Sequence, residues 1–170
     1  MDLAEAFRNY REKIVGQWLN YTLSTYTSSH FFSKERDKFA NPVGANIRDA
    51  LDKLFVLLST GADPEEYKVP VGQIMQLRAV QEFSPSQAVG AVFLLKEAVR
   101  AELAGKVTGD RGYAELLDFE SRVDRLALMA FDIYMKCREE VCEIRINEVA
   151  AQREMALRIL AAAGGTGDPA

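Results

Sequence analysis

The sequence predicts an all-α helical bundle with a long C-terminal helix. Apolar residues recur every three or four positions along most of the chain, and three X-Pro pairs mark segment starts. Residues 113–163 contain neither Gly nor Pro, and no stretch shows the alternating pattern of a half-buried strand. With 170 residues, of which 48% are hydrophobic and 27% are charged, the chain can bury a single core.

The first helix is predicted to begin beside Asp2, whose carboxylate can cap the first turn together with Glu5 at the third helical position. The polar stretch 25–30 ends this helix, and Ser33 is a candidate cap for a short helix that carries Phe39. The apolar residues of the first helix share one stripe: Leu3, Phe7, Tyr10, Ile14, Trp18 and Tyr21.

The pairs Asn41-Pro42, Asp63-Pro64 and Ser84-Pro85 can each start a helix in the same way. A side-chain oxygen caps the first turn, and the proline stands where a missing N–H costs nothing. Glu66 and Gln87 supply the third helical position in two of the three cases.

These starts predict helices over about 42–59, 70–83 and 85–103, with Gly61 as the stop of the first. Residues 63–67 are expected to form only a turn, because Pro70 interrupts the pattern. The apolar positions are Val43, Ile47, Leu51, Leu54 and Leu58, then Ile74, Leu77 and Val80, then Ala88, Val92, Leu95, Val99 and Leu103. Three glycines mark residues 104–112 as a loop.

The segment 113–163 carries a near-heptad apolar seam and, as one helix, would be about 75 Å long. A compact domain of this size is only about 40 Å across, so the helix must bend back or project. The spacing favours projection, with the outer half pairing against another chain. The alternative is a break near 138–140 followed by a separate helix on the bundle. The candidate residues for a homodimer or partner contact are Cys137, Val141, Ile144, Met155 and Ile159.

The predicted organisation is thus one helical domain over residues 1–163 and a disordered tail over 164–170. The net charge of −4, with both signs interspersed, argues against nucleic-acid binding. The chain start has no apolar signal core, and no apolar run approaches the ~20 residues that span a bilayer. We therefore predict a cytoplasmic protein without membrane insertion.

Residue types that carry catalysis or bind metals are scarce. His30 is the single histidine, so a di-iron site with two Glu-x-x-His motifs is excluded, and its Ser/Thr-rich surroundings do not favour a haem ligand. Cys137 and Cys142 lie five apart on one helix, too far apart to form a disulfide with each other. Core packing is the expected role of Cys137, and the alternative for Cys142 is a redox-sensing thiol, which an intermolecular bridge in a dimer would favour. We predict no cofactor, no metal site and no catalytic site.

Residues 70–103 also have the outline of a helix-turn-helix. A recognition helix presents polar or basic residues in its first turn, whereas this one begins with Gln87, Ala88 and Val89, and Lys96 is the first basic residue. DNA binding is therefore not favoured.

Several polar residues interrupt otherwise apolar faces: Arg78, Gln81, Asp124 and Asp132. Because an unpaired buried charge costs several kcal/mol, structural salt bridges are the ordinary interpretation. The alternative is a small polar ligand pocket. Its candidate residues are Arg78, Gln81, Phe39 and Asn41.

Three segments resemble the RsbRD-type N-terminal domain, the input domain of RsbT co-antagonist proteins. They are DKFANPVG at 37–44, RAVQEFSPSQAV at 78–89 and FDIYMKCR at 131–138. The resemblance extends to about residue 151. It implies a dimeric, all-helical sensory module that is distantly globin-like, binds no haem and passes its state along the C-terminal helix.

In longer members of that family a STAS output domain follows, whereas this sequence stops near the end of the seam. The expected function is a stand-alone regulatory module of stress signalling that acts on a separate protein partner, with a small molecule as a further candidate signal. The alternative is a small-ligand-binding protein, or an enzyme with an unfamiliar carboxylate and arginine site.

Overall fold

The computed structural model describes residues 1–26 and 42–164. All regular structure in these ranges is helical, which confirms the all-α prediction. The elements are α1 (Leu3–Ser24), α2 (Pro42–Thr60), a 3₁₀ turn (Pro64–Tyr67), α3 (Lys68–Val80), α4 (Pro85–Leu103) and α5 (Gly109–Gly164). The predicted short helix with Ser33 and Phe39, as well as His30 and residues 165–170 of the tail, lie outside the described residues.

The predicted helix starts at Asp2 and Ser84 are confirmed by their caps, whereas the candidate cap Asn41 lies outside the described residues. The Asp2 carboxylate accepts a hydrogen bond from the Glu5 backbone N–H at 2.7 Å. Ser84 and Gln87 form a reciprocal capping box at the start of α4, with distances of 3.2 and 3.0 Å. Gly61, with φ of +68°, ends α2 in the left-handed conformation that glycine adopts without a steric penalty.

Two predicted boundaries of α3 are wrong. The 3₁₀ turn continues directly into α3 at Lys68, so Pro70 does not interrupt the helix. It stands in the first turn, where an N–H has no intrahelical acceptor. At the other end α3 stops at Val80 rather than Phe83, because Glu82 adopts a φ of +62° and reverses the chain. Similarly, α5 begins at Gly109, inside the predicted loop.

The bundle packs in pairs of neighbouring helices. Helix α1 lies against α2 and α4, and α5 lies against α3 and α4. The rings of Phe7, Phe55 and Phe119 join α1, α2 and α5, with centroids 4.7 to 6.4 Å apart. Trp18 is 1% exposed and donates a hydrogen bond from its indole N–H to the carbonyl of Ala91 at 2.7 Å, which joins α1 to α4.

Helix α5 has 56 residues and is therefore about 84 Å long. It is continuous through 138–140, so the alternative of a break there is wrong. Every residue over 142–163 is exposed, which confirms that the end of the helix projects from the bundle. We call residues 142–163 the arm. None of the helices in the described ranges combines the length and the apolar character needed to cross a bilayer.

Candidate functional site

Arg78, near the end of α3, is completely buried, and it joins three helices. Its guanidinium donates hydrogen bonds to the Thr25 hydroxyl at 2.9 Å and to the Gln87 carbonyl at 3.2 Å. A weaker bond of 3.4 Å reaches the Thr22 carbonyl in the last turn of α1. A single side chain therefore connects the end of α1, the end of α3 and the start of α4.

Two aromatic rings complete the surroundings of Arg78. The guanidinium carbon lies 4.5 Å from the centroid of the Phe83 ring and 5.1 Å from that of Tyr26. Such contacts stabilise a desolvated guanidinium by roughly 2 kcal/mol. Burial lowers the pKa of Arg78, because desolvation penalises the charged form.

The salt bridge that the sequence predicts for Arg78 is absent from the described residues. Its partners there are carbonyls, a hydroxyl and two rings, and its Nε has no hydrogen-bond partner. The negative end of the α1 dipole supplies part of the missing counter-charge. By contrast, Asp124 does pair with Lys96 at 2.5 Å, as predicted, and Asp132 is exposed.

Helix α5 holds the same α3–α4 corner from the other side. The buried Tyr134 donates its hydroxyl to the Phe83 carbonyl, and Arg138 donates to the Ala79 carbonyl at 3.0 Å. Arg145 forms an ion pair of 2.7 Å with Glu82. The corner that contains Arg78 is therefore attached to α5 at the place where the arm begins.

The four candidate ligand residues do not form one described pocket. Arg78 is buried whereas Gln81, three residues later, is exposed. Phe39 and Asn41 lie outside the described residues. The ligand hypothesis for these residues therefore stays a prediction.

The five candidate residues for a dimer or partner contact lie on the side of α5 that faces the bundle. We call Cys137, Val141, Ile144, Met155 and Ile159 the inner stripe. Cys137 packs partly against the core, and burial raises the pKa of its thiol. Beyond the bundle the stripe is open, since Ile144, Met155 and Ile159 are 58%, 66% and 63% exposed.

A second apolar stripe, which was not among the sequence predictions, runs along the opposite side of α5. We call it the outer stripe; its members lie within an arc of about 80° at 3.6 residues per turn. They are Phe131, Met135, Cys142, Ile146, Val149, Leu157 and Leu160, all exposed. Recurrence at eleven residues, as in Met135, Ile146 and Leu157, is the signal that would have revealed it.

Ion pairs occupy the clefts of the bundle. A cleft of about 500 Å³ beside the start of α1 contains Arg122 paired with Asp118 at 2.6 Å, and Arg111 paired with Glu115 at 2.9 Å. No group of three or more His, Cys, Asp or Glu side chains over 1–26 and 42–164 is placed to hold a metal ion.

Comparisons with known proteins identify a family and one relative. The model of the family described as the RsbT co-antagonist protein rsbRD N-terminal domain matches residues 12–149. An uncharacterized protein of Archaeoglobus fulgidus is 28% identical over 151 residues, which cover 88% of this chain and 91% of that protein. No solved structure matches the chain, so the globin likeness implied by the resemblance stays a prediction.

Replacing Arg78 with Lys should lower the free energy of unfolding by about 2 kcal/mol, because an ammonium cannot lie flat on two rings while bonding to three acceptors. Arg111→Lys is the matched control; Arg111 is 91% exposed in its side chain and should tolerate the change within about 0.5 kcal/mol. Urea unfolding followed by circular dichroism gives both values. Equal stability of the two variants would contradict the joining role of Arg78.

Proposed function

The chain belongs to the family of RsbT co-antagonist protein RsbRD N-terminal domains, and on that premise we propose that it is a non-catalytic regulatory module that acts as a homodimer on a protein partner. The family is a regulatory domain of stress signalling. The proposal adds dimerisation, a separate partner and the surfaces that make these contacts.

The observation that carries the proposal is the arm. Residues 142–163 are helical and exposed on every side, and Ile146, Val149 and Leu160 are 64–68% exposed. An isolated helix of this length has little stability of its own in water, because most helical stability in proteins comes from packing an apolar face. Large contiguous apolar surfaces on soluble proteins mark interaction sites. We infer that the arm is covered by other protein chains.

The connection between the corner and α5 supports a signalling role. The contacts of Tyr134, Arg138 and Arg145 hold the base of the arm against the end of α3. Any rearrangement around Arg78 that moves the carbonyls of Ala79 or Phe83 must break these contacts or shift α5. A partner bound to the arm would then respond to an event inside the bundle.

We expect light scattering over a range of concentrations to give a mass of twice the 19.0 kDa of one chain, because pairing buries apolar surface of the arm. Dilution should shift the population toward the single chain. A mass of 19.0 kDa at every concentration would contradict the homodimer.

The inner stripe of the arm is the proposed contact for the partner protein. Met155→Lys should abolish capture of that partner from an extract of the source organism, because it places a charge in the centre of an apolar contact. Asn147→Lys is the matched control, since it makes the same charge change at an exposed position outside both stripes. Equal capture by the two variants would contradict a role of the inner stripe.

A small-molecule signal is a second candidate, and the buried Arg78 is the observation that favours it. Its Nε has no partner and no carboxylate faces it among the described residues. An anionic or polar ligand would accept a hydrogen bond from Nε and supply the missing counter-charge. Native mass spectrometry of freshly purified protein should then show an added mass that is lost in Gln81→Ala or Arg78→Lys. If the original protein shows only the mass of the bare chain, as the variants do, this candidate is contradicted.

A further inference from the structure

The outer stripe of α5 has a symmetric order along the helix. Counted in both directions from Ile146, apolar residues occur at matching distances, to within one residue. In an antiparallel pair of identical helices centred on Ile146, each apolar residue therefore faces an apolar residue of the second copy. The facing pairs are Ile146 with Ile146, Met135 with Leu157, Phe131 with Leu160, and Cys142 with Val149.

The charged residues along this stripe follow the same symmetry with opposite signs. Glu139 and Arg153, the two charges within the stripe, are equally far from Ile146. Beside the stripe, Lys136 matches Glu154, and Asp132 matches Arg158, to within two residues. All six are exposed. An antiparallel pair therefore brings each of these charges close to its opposite on the second copy.

A parallel pair in register would reverse this complementarity. Glu139 would face Glu139 of the second copy, and Arg153 would face Arg153, both in the middle of the apolar contact. Like charges placed directly opposite each other weaken association. The order of charges along the stripe therefore favours the antiparallel pair over the parallel pair.

The position of the outer stripe allows such a pairing. The stripe lies on the side of α5 away from the bundle, and over 131–141 this side is open to a second helix. Each arm would lie along the part of α5 that forms the wall of the other bundle. The contact from residue 131 to residue 160 is about 45 Å long. A strip of that length and one helix face in width approaches the ~800 Å² per partner of a standard interface.

We propose that two copies of this chain pair through the outer stripes of their α5 helices, antiparallel and centred on Ile146. The proposal rests on the homodimer of the proposed function. It adds the relative direction of the two α5 helices, the residue at the centre of their contact and the face of the helix that makes it. It leaves the inner stripes of both arms open for the protein partner.

Cysteine crosslinking tests direction and face together. In a background with Cys137→Ser and Cys142→Ser, Met135→Cys and Leu157→Cys proteins are mixed and treated with a short bismaleimide. The expected product joins one chain of each variant, and neither variant alone should form a crosslinked dimer. Met155→Cys replaces Leu157→Cys as the matched control, because Met155 is similarly exposed but belongs to the inner stripe. It should give no product with Met135→Cys.

Every other outcome overturns the proposal. A crosslink of Leu157→Cys with itself would indicate a parallel pair, and a product from Met155→Cys would indicate the inner stripe. A dimer by light scattering that forms none of these products would place the contact elsewhere and leave the homodimer itself intact. A single chain at all concentrations would overturn the homodimer as well.

An exchange of charges provides a second, independent test. Glu139→Arg should raise the dissociation constant of the dimer about tenfold or more. In the symmetric pair, the new Arg of each chain lies opposite Arg153 of the other chain, so the substitution creates two repulsive contacts. Adding Arg153→Glu to the same chain should restore the original value. Both positions are exposed, so circular dichroism should show unchanged folding of the single chains. Failure of the double variant to recover would overturn the antiparallel register.

Discussion

The length of α5 is the constraint on which the rest of the structure depends. A helix of 56 residues is about twice as long as the bundle it helps to build, so it cannot be covered by α3 and α4 alone. Its first half therefore behaves as a core helix, with Phe119, Val123 and Tyr134 buried. Its second half is attached to the bundle only near its base, through contacts such as the ion pair of Arg145 with Glu82, and every residue of the arm is exposed. One helix thus combines a buried half that stabilises the bundle with a half whose apolar residues are exposed.

The α3–α4 corner makes the two parts mechanically dependent on each other. Arg78 is held by acceptors at the end of α1 and the start of α4. From α5, Tyr134 donates to the Phe83 carbonyl and Arg138 donates to the Ala79 carbonyl, both within five residues of Arg78 in the chain. Helical bundles with such shared contacts respond to a perturbation by shifting between discrete packings rather than by bending smoothly. Glu82 adds a backbone conformation with φ of +62°, which costs a non-glycine residue about 1 kcal/mol or more. The corner is thus both tightly connected and locally strained.

Local chemistry made most of the fold predictable from the sequence. Caps at Asp2 and Ser84 and the glycine at Gly61 act within a few residues, so they identify helix ends reliably. The boundaries of α3 were missed because a proline in a first turn is indistinguishable in sequence from one that ends a turn. The buried state of Arg78 was not predictable, because two of its three acceptors, Thr22 and Thr25, are 56 and 53 residues away in the sequence. The outer stripe escaped notice because a helix was expected to have one apolar face, and the seam toward the core had already been assigned.

The placement of Trp18 has a consequence for spectroscopy. It is the sole indole of the chain and is buried between α1 and α4, whereas every residue of the arm is exposed. Its emission therefore reports melting of the bundle interior directly, and reports an event on the arm only when that event repacks the interior. Fluorescence and hydrodynamic radius will accordingly follow two separate processes in this molecule, and a thermal transition seen by one need not coincide with that seen by the other.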